Sequence, residues 1–422
     1  KELLVRDFII SNIKEVMIKY GFQYLETPSF EYSDSIGKFL PDKERPDEGV
    51  FSFRDENKWL SLRYDLTAPL ARYVAKNFLE IPKPFKRYQL GTVWRNEKPG
   101  PGRFREFLQF DADFVGTKSL QADAELCVMI SEILENCGLT KSEYIIKISS
   151  RKITEELFKK ININENQQKL TALRALDKID RLGWDGVKEL LGAGRKDKSG
   201  DFTKGANLKS EDIEVIEKTL KKKSPETEDL AEILKIFKDY NFTNFEFDPS
   251  IIRGLEYYTG VIFEVNLKFD VKNKKGQVIQ FGSIGGGGRY DNLVNNFGNF
   301  DAPATGISIG LDRLVYALMQ KKEFKVKQSK PVVICVFDKN SMKEYINVQT
   351  TLRKAGISAE IYPGESKLKK QMEYANKINS PAVILYGEDE IKLGKPTVRN
   401  LSSGKEKSIA IKELVNEIKK II

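Results

Sequence analysis

The chain has 422 residues, 40% of them hydrophobic and 31% charged, and its 70 Lys and Arg exceed 61 Asp and Glu to give a formal charge of +9. This length exceeds what one core usually fills and predicts two or three domains. The sequence has no run of about 18 apolar residues, and its first residues are charged and lack the apolar stretch of a signal peptide, so we expect neither a membrane span nor a membrane partner. It does not begin with Met, and we expect a short segment to precede it.

The sequence contains no histidine and only 3 cysteines. The missing imidazoles exclude His-ligated metals, Ser-His-Asp triads and any histidine general base, and we predict no resident metal site. The cysteines lack C-x-x-C spacing, which argues against a disulfide framework and favours a reducing cytoplasm. The positive charge fits a nucleic-acid partner, but a lysine-rich solvated surface explains it at least as well.

Periodicity and turn signals predict an α/β protein. In chain order, the first part is expected to contain a helix over 7–20 ended by Gly21, strands over 22–28 and 61–67, a helix over 68–76, a long β-hairpin over 85–116, a helix over 120–137 and a strand over 144–148. Residues 151–225 are rich in Lys and Asn and predict an inserted helical subdomain. Strands then resume over 245–263, 278–284 and 305–309, and a helix follows over 311–320.

A second pattern begins after a charged linker at residues 321–330. Apolar strands over 332–337, 359–362 and 382–386 alternate with helices over 341–355 and 365–378. This spacing predicts a small α/β domain with a partly parallel sheet.

The return strand of the hairpin carries a polar row. Because side chains alternate along a strand, Arg105, Gln109, Asp111 and Asp113 should share one face, opposite a face rich in Phe. Taken alone, this pattern favours a solvent-exposed sheet face. Beside the loop of residues 98–102, with two Pro and two Gly, it also suits a site for an anionic, polar ligand.

Three further segments combine small residues with an arginine. They cover residues 253–260, with Arg253; residues 285–291, with four glycines; and residues 306–314, where Arg313 lies at the start of a helix. The glycines suggest a backbone that passes close to a ligand. They do not form a P-loop, because no Gly-Lys-Ser/Thr follows.

Together these segments resemble class II aminoacyl-tRNA synthetases, and specifically the histidyl-tRNA synthetase family. Residues 20–28 resemble its first motif, which implies a homodimer; Arg95-x-Glu97 with Phe107-x-Gln109 resembles the second, and residues 306–313 the third. Residues 253–258 and 287–291 resemble two peptides peculiar to the histidine enzymes. The resemblance implies an antiparallel-sheet catalytic domain over 1–325, with a helical insertion at about 151–225, and an anticodon-binding domain over 328–422.

The resemblance also implies residue roles in joining L-histidine to tRNA(His) through a histidyl-adenylate. Three arginines would be catalytic, contacting phosphates: Arg95, Arg253 and Arg313. ATP would further contact Glu97 and Arg105, with Mg²⁺ bridging its phosphates. Histidine would be bound by Asp65, Thr67, Gln109, Asp113, Arg253, Tyr257 and Tyr258. The substrate carboxylate is already a nucleophile at neutral pH, so no general base is needed.

Three questions stay open at the level of sequence. A catalytically inactive regulatory subunit of ATP phosphoribosyltransferase is the main alternative, although such proteins lack the C-terminal domain and the catalytic arginines. Lys367, Lys369 and Lys370 near two tyrosines suggest either RNA contact or a solvated helix face. The hairpin loop has no amide side chain to pair with a base edge, and so resembles a divergent bacterial subgroup whose tRNA lacks the extra 5′ guanosine.

Overall fold

The structure is a computed structural model that describes residues 2–33, 49–96, 98–197, 200–222, 227–252, 257–321, 324, 330–364 and 366–422. The chain divides into two compact units, one over Lys1–Phe324 and the other over Lys325–Ile422. None of the helices within these described ranges is both long and apolar enough to cross a membrane.

The first unit is built on one large sheet. Its strands are β1 (Gln23–Tyr24), β2 (Phe30–Tyr32), β3 (Ser52–Asp55), β4 (Lys58–Leu62), β5 (Phe85–Trp94), β6 (Glu106–Val115), β7 (Tyr144–Ser150), β8 (Gly194–Lys196), β9 (Phe202–Lys204), β10 (Phe245–Phe247), β11 (Val261–Leu267), β12 (Val271–Lys272), β13 (Val278–Ile279), β14 (Gly285–Arg289) and β15 (Ala304–Gly310). Eight of them form the sheet in the order β1-β5-β6-β15-β14-β11-β7-β10. The pairs β1–β5 and β10–β7 at the two edges are parallel, and the pairs between them are antiparallel.

Helices cover this sheet and fill the inserted region. They are α1 (Glu2–Lys19), α2 (Thr67–Lys76), α3 (Leu120–Asn136), α4 (Arg151–Lys160), α5 (Asn166–Leu176), α6 (Ile179–Leu191), α7 (Ser210–Leu220), α8 (Glu228–Asp239) and α9 (Leu311–Leu318). α1 and α3 pack together, and α9 contacts both α1 and β6. α1 buries the stripe predicted from its period, with Ile9, Ile13 and Val16 inside, and Gly21 ends it at a φ of +72°.

Several predicted strand boundaries were wrong, because contacts with segments distant in sequence determine where the strands form. The strand over 22–28 shrinks to β1, and the strand over 61–67 lies earlier, at β4. The strand over 278–284 is only the short β13, whereas the four glycines form a full strand, β14. A Cβ on Gly287 would lie 1.9 Å from the Gly306 carbonyl oxygen, so close strand packing requires glycine there. The inserted region is helical but also carries the β8–β9 hairpin, and α6 kinks at Gly183.

The second unit has its own core. Its strands are β16 (Val332–Ile334), β17 (Ala359–Ile361), β18 (Ala382–Leu385), β19 (Thr397–Asn400) and β20 (Glu406–Ser408), and its helices are α10 (Met342–Lys354), α11 (Leu368–Lys377), α12 (Glu388–Leu393) and α13 (Ile411–Lys419). The sheet runs β17-β16-β18-β19-β20, with parallel pairing around β16 and antiparallel pairing beyond β18. The partly parallel sheet is therefore confirmed, and the elements after residue 386 add to the prediction.

Candidate active site

A cavity of about 390 Å³ opens above the middle of the large sheet. Its walls come from the start of α2, the hairpin β5–β6, the strands β14 and β15 and the start of α9. The cavity brings together seven of the residues singled out from sequence: Asp65, Thr67, Arg95, Gln109, Tyr257, Tyr258 and Arg313. Residues separated by almost 250 positions in the chain therefore meet, and carboxylate, amide and guanidinium groups line the same cavity.

The carboxylate end is organised around the start of α2. The Asp65 carboxylate accepts the backbone N–H groups of Thr67 at 3.2 Å and Ala68 at 3.0 Å, and so caps the helix. Burial raises the pKa of the Asp65 carboxyl, and the charges of Arg95 and Arg87 oppose that rise. Asp65 is thus a fixed acceptor at the edge of the cavity, suited to an ammonium group.

A second carboxylate lies beneath this end. The Asp111 carboxylate accepts the Gln109 amide at 2.7 Å and the Thr67 hydroxyl at 3.3 Å. Burial and the neighbouring Asp113 raise the pKa of Asp111. The predicted exposed polar face is therefore wrong: Gln109, Asp111 and Asp113 are all buried. The row orients the side chains that line the cavity.

Asp113 does not itself line the cavity. Its carboxylate forms a salt bridge with Arg87 at 2.9 Å and accepts the Tyr290 hydroxyl at 2.5 Å. A Cβ on Gly306 would lie 2.1 Å from the Asp113 carboxylate, so glycine is required across the β6–β15 pair. The structure places Asp113 one layer below the wall that the sequence assigned to it.

The two cavity arginines rest on aromatic rings. The Arg95 guanidinium lies 4.5 Å from the centre of the Tyr64 ring and 5.2 Å from that of Phe107. Arg313 lies 4.4 Å from the centre of the Phe281 ring. Burial, together with the charge of Arg103, lowers the pKa of Arg313 to about 10, so it remains a cation at neutral pH. Both side chains are held in place while their charge stays available to an anion.

The start of α9 is fixed by its acidic residue. The Asp312 carboxylate accepts the backbone N–H of Leu108 at 2.8 Å and pairs with Arg6 of α1 at 2.7 Å. This contact ties the helix that carries Arg313 to the hairpin that carries Arg95. The spacing of the two cations therefore depends on three elements.

The last residue of β14 and the residues after it support the tyrosine wall. Arg289 donates to the backbone oxygens of Thr117 and Ser119, each at 3.0 Å, and pairs with the buried Asp123. Burial raises the pKa of Asp123 to about 6, against the effect of that arginine. Asp291 accepts the Thr259 hydroxyl at 3.0 Å, directly after Tyr257 and Tyr258. Arg289 and Asp291 thus act as a brace and do not line the cavity.

Of the assigned residues that the structure describes, Arg105, like Asp113, is not at the cavity wall. The Arg105 guanidinium lies near Asn96 and 4.6 Å from the centre of the Phe51 ring. Glu97 and Arg253 lie outside the described residues.

Sequence reasoning also missed part of the wall. Gln280, Phe281 and Ser283 precede the glycine strand, whereas Ser308 belongs to the segment 306–314 that was singled out. Arg181 comes from the inserted region, and no motif pointed to it. The glycines divide by position: Gly285 and Gly286 line the cavity as expected, whereas Gly287 and Gly288 face neighbouring strands.

Comparison with known proteins decides the family. Residues 5–314 match the model of the histidyl-tRNA synthetase family, and residues 330–421 match an anticodon-binding domain. The chain belongs to the histidyl-tRNA synthetase family. The resemblance stated from its motifs and the class II fold are therefore confirmed.

Members of the histidyl-tRNA synthetase family with similar sequences cover almost the whole chain. The histidine–tRNA ligase of Bartonella quintana is 46% identical, over 98% of this chain and 89% of that protein. That of Rhodopseudomonas palustris is 45% identical, over 99% and 89%. The crystal structure of histidyl-tRNA synthetase from Nostoc sp. PCC 7120 superposes with a TM-score of 0.79 at 26% identity, covering 100% of this chain and 96% of that one.

A more distant structure bears on the fold alone. A Bacillus halodurans protein described as an ATP phosphoribosyltransferase regulatory subunit/histidyl-tRNA synthetase has a TM-score of 0.63 at 23% identity, and covers 88% of this chain and 92% of that one. The ligases are far closer in sequence, and this chain carries the anticodon-binding domain. The regulatory-subunit alternative is not favoured.

Proposed function

We propose that the protein is a histidine–tRNA ligase, which activates histidine with ATP and passes the histidyl group to tRNA(His). The observation that carries the proposal is the cavity that Asp65 and Gln109 line together with Arg95 and Arg313. An amino acid held by its ammonium group at Asp65 and Gln109 would have its carboxylate in the same cavity as a nucleotide phosphate held by the two arginines.

The first step is an in-line displacement. A carboxylate oxygen of histidine attacks the α-phosphorus of ATP, a P–O bond breaks, and pyrophosphate leaves from a histidyl-adenylate. Arg95 would stabilise charge on the α-phosphate and Arg313 would bind the γ-phosphate, with Mg²⁺ entering as part of the Mg–ATP substrate. Glu97, Arg105 and Arg253 keep the ATP and phosphate roles assigned from the family resemblance, as parts of this proposal.

The second step transfers the histidyl group from the adenylate to tRNA. A hydroxyl of the terminal tRNA ribose attacks the histidyl carbonyl carbon, the ester forms, AMP leaves with the bond electrons, and the hydroxyl proton passes to the departing phosphate. The proposed partner requires recognition at the anticodon as well, which is the role proposed for residues 328–422. Lys369 and Lys370 lie exposed on α11, and the ring of Tyr374 on the same helix lies 5.4 Å from that of Tyr362. This surface suits RNA contact.

Recognition of histidine is proposed for the tyrosine wall. Tyr258 lines the cavity and would hydrogen-bond one imidazole nitrogen, because imidazole offers both a donor and an acceptor. Tyr257 packs against Tyr258 with ring centres 4.8 Å apart. Asp113 would act from beneath, through the Tyr290 hydroxyl that it binds. A site that pairs with a substrate group rejects analogues lacking it by roughly 10⁴–10⁵-fold, so no editing domain is required.

Two further parts of the proposal concern the whole molecule. We place the protein in the cytoplasm, since all three cysteines are free and buried and the chemistry consumes cytoplasmic substrates. We also propose a homodimer, supported by an exposed aromatic face on the small sheet β2-β4-β3, formed by Phe30, Tyr32 and Phe53.

ATP–pyrophosphate exchange with each of the twenty amino acids tests the activity. Histidine alone should support strong exchange. If another amino acid supports faster exchange, the specificity assignment is wrong even though the fold is right. If none does, the ligase proposal itself fails.

A further inference from the structure

Arg87 on β5 is fully buried, at 0% exposure, and does not line the cavity. Its guanidinium donates to the Asp113 carboxylate at 2.9 Å and to the Leu66 carbonyl oxygen at 3.3 Å, and it also contacts the side-chain oxygen of Gln89. A buried arginine is costly unless such acceptors surround it. The free-energy cost of burying this arginine is therefore offset by its contacts, and those contacts indicate its role.

The two longer contacts lead to two different sets of cavity residues. Leu66 lies between Asp65 and Thr67, so its carbonyl fixes the turn that presents both side chains. Asp113 accepts the hydroxyl of Tyr290, whose ring packs edge-to-face against Tyr257 at 5.8 Å. One guanidinium therefore supports Asp65 and Thr67 through the backbone, and the tyrosines through the Asp113 carboxylate and the edge-to-face contact of Tyr290 with Tyr257.

Arg87 also places a positive charge beside a cluster of three buried carboxylates. Asp65, Asp111 and Asp113 are all buried, and burial raises the pKa of each carboxyl, whereas Arg87 lowers the pKa of all three. Arg63 and Arg95 lie nearby, but neither bonds to any of the three carboxylates among the described residues. Arg87 is the cation that pairs directly with this group.

We propose that Arg87 is a positioning residue for the amino-acid end of the site, which sets the affinity for histidine without contacting it. This inference rests on the proposed function and deepens it. The proposal predicts different effects on the binding of the two substrates. The contacts of Arg87 lead to residues proposed to bind histidine, whereas Arg95 and Arg313, which are proposed to bind ATP, rest on aromatic rings.

The test is the steady-state exchange kinetics of Arg87→Met and Arg87→Lys. Arg87→Met replaces the aliphatic part of the side chain but loses every donor, and we expect KM for histidine to rise at least about tenfold, while KM for ATP stays within about twofold. Arg87→Lys keeps the charge but cannot serve both acceptors, so its KM for histidine should lie between those of the wild type and Arg87→Met. If Arg87→Met does not fold, Arg87→Lys carries the test.

A double-mutant cycle separates the pair from general loss of packing. Removing Arg87 alone leaves a buried carboxylate without its cation, so Arg87→Met/Asp113→Asn should bind histidine better than the product of the single effects predicts. Leu134→Ala, in the core of α3, is the matched control: it should lower the melting temperature without changing the ratio of the two KM values.

Equal increases in both KM values, or lost thermal stability with an unchanged KM for histidine, would overturn the positioning role. Failure of the proposed function is distinguishable, since the wild-type protein would then show no histidine-dependent exchange at all.

Discussion

Arg95 and Arg313 share an environment that leaves their charge available for phosphate. Each packs on an aromatic ring, and neither forms an ion pair with a carboxylate within the described part of the chain. The cost is visible at Arg313, whose pKa is lowered to about 10 by burial and by Arg103. A polyphosphate would relieve that cost, so these positions favour a bound, multiply charged ligand over an empty cavity.

Replacing either arginine should therefore affect chemistry far more than folding. We expect Arg95→Ala and Arg313→Ala each to lower ATP–pyrophosphate exchange by at least about 10²-fold, because each removes a charge-assisted contact to the transferring phosphate. Circular dichroism should show intact folding. Arg399→Ala is the matched control, since Arg399 pairs with Glu406 in the second unit at 3.3 Å. Near-normal exchange in either active-site variant would contradict the phosphate role.

At the scale of elements, the β5–β6 hairpin shows what alternation can and cannot predict. Period-two patterning located both strands and assigned Gln109, Asp111 and Asp113 to one face. It could not tell a face that contacts water from one that supports a cavity, because both favour polar side chains. The partners of that row settle the matter: Arg87 lies 26 positions from Asp113, and Tyr290 lies 177 positions from it.

The glycine strand marks a second limit of local reasoning. β14 is predicted poorly because glycine disfavours strands and carries no side chain to give a period. Its geometry is instead dictated by β11 and β15, which approach too closely for a Cβ at Gly287 or Gly288. The motifs therefore identified the family and most of the cavity wall, whereas braces such as Arg289 with Asp123, 166 positions apart, required the fold.

The inserted region contributes a cation to the cavity. Arg181 is exposed at the cavity wall, and the part of the chain that the structure describes gives its side chain no ion-pair partner. Burial lowers the pKa of the neighbouring Lys178, and the positive charges of Arg181 and Arg174 lower it further. An exposed basic group at the rim suits the phosphates of an incoming tRNA end better than a nucleotide already bound within.

Arg181→Ala should therefore weaken transfer more than activation. We expect tRNA charging at subsaturating tRNA to fall about three- to tenfold, with exchange within about twofold of wild type. Lys188→Ala is the control on the same helix, since Lys188 pairs with Glu217 at 2.8 Å and does not line the cavity. An equal fall in exchange would show that Arg181 serves ATP instead.

The hairpin loop bears on which end of the tRNA is read. Gly100 and Arg103 exchange backbone hydrogen bonds at 2.8 and 2.9 Å, and Gly102 packs near Phe281 with a φ of +64°. The turn is therefore tight, and residues 98–102 offer no amide side chain to a base edge. Lys98 and Arg103 favour phosphate over base.

We expect the protein to charge a transcript lacking the extra 5′ guanosine as well as one carrying it. Identity would then come from the unpaired base before the CCA end and from the anticodon. The measurement compares kcat/KM for two transcripts that differ only in this nucleotide. A drop of about a hundredfold or more on removing it, roughly 2.7 kcal/mol, would show that the guanosine is read.

At the scale of the whole molecule, the first unit exposes a contiguous aromatic patch on its small sheet β2-β4-β3. Phe30, Tyr32 and Phe53 are 51%, 46% and 43% exposed. The strand registers place them on one face of the small sheet, with the rings of Phe30 and Phe53 6.3 Å apart. Contiguous exposed aromatic groups of this kind mark interaction sites more often than free surface. The face also lies close in sequence to residues 20–28, whose resemblance implies subunit pairing.

A second copy of the chain is the partner that this aromatic face should bind, because a two-fold contact buries the same patch on both subunits and is the commonest oligomer. An interface of standard size should keep the dimer assembled at about 10 µM. Light scattering at this concentration should therefore give twice the chain mass of 48.2 kDa. Phe30→Asp/Phe53→Asp places charges in the centre of the contact and should shift the mass toward one chain. Leu79→Asp, at another strongly exposed apolar position, should leave it unchanged. A wild-type mass of one chain would refute the dimer, and a dimeric double variant would place its interface elsewhere.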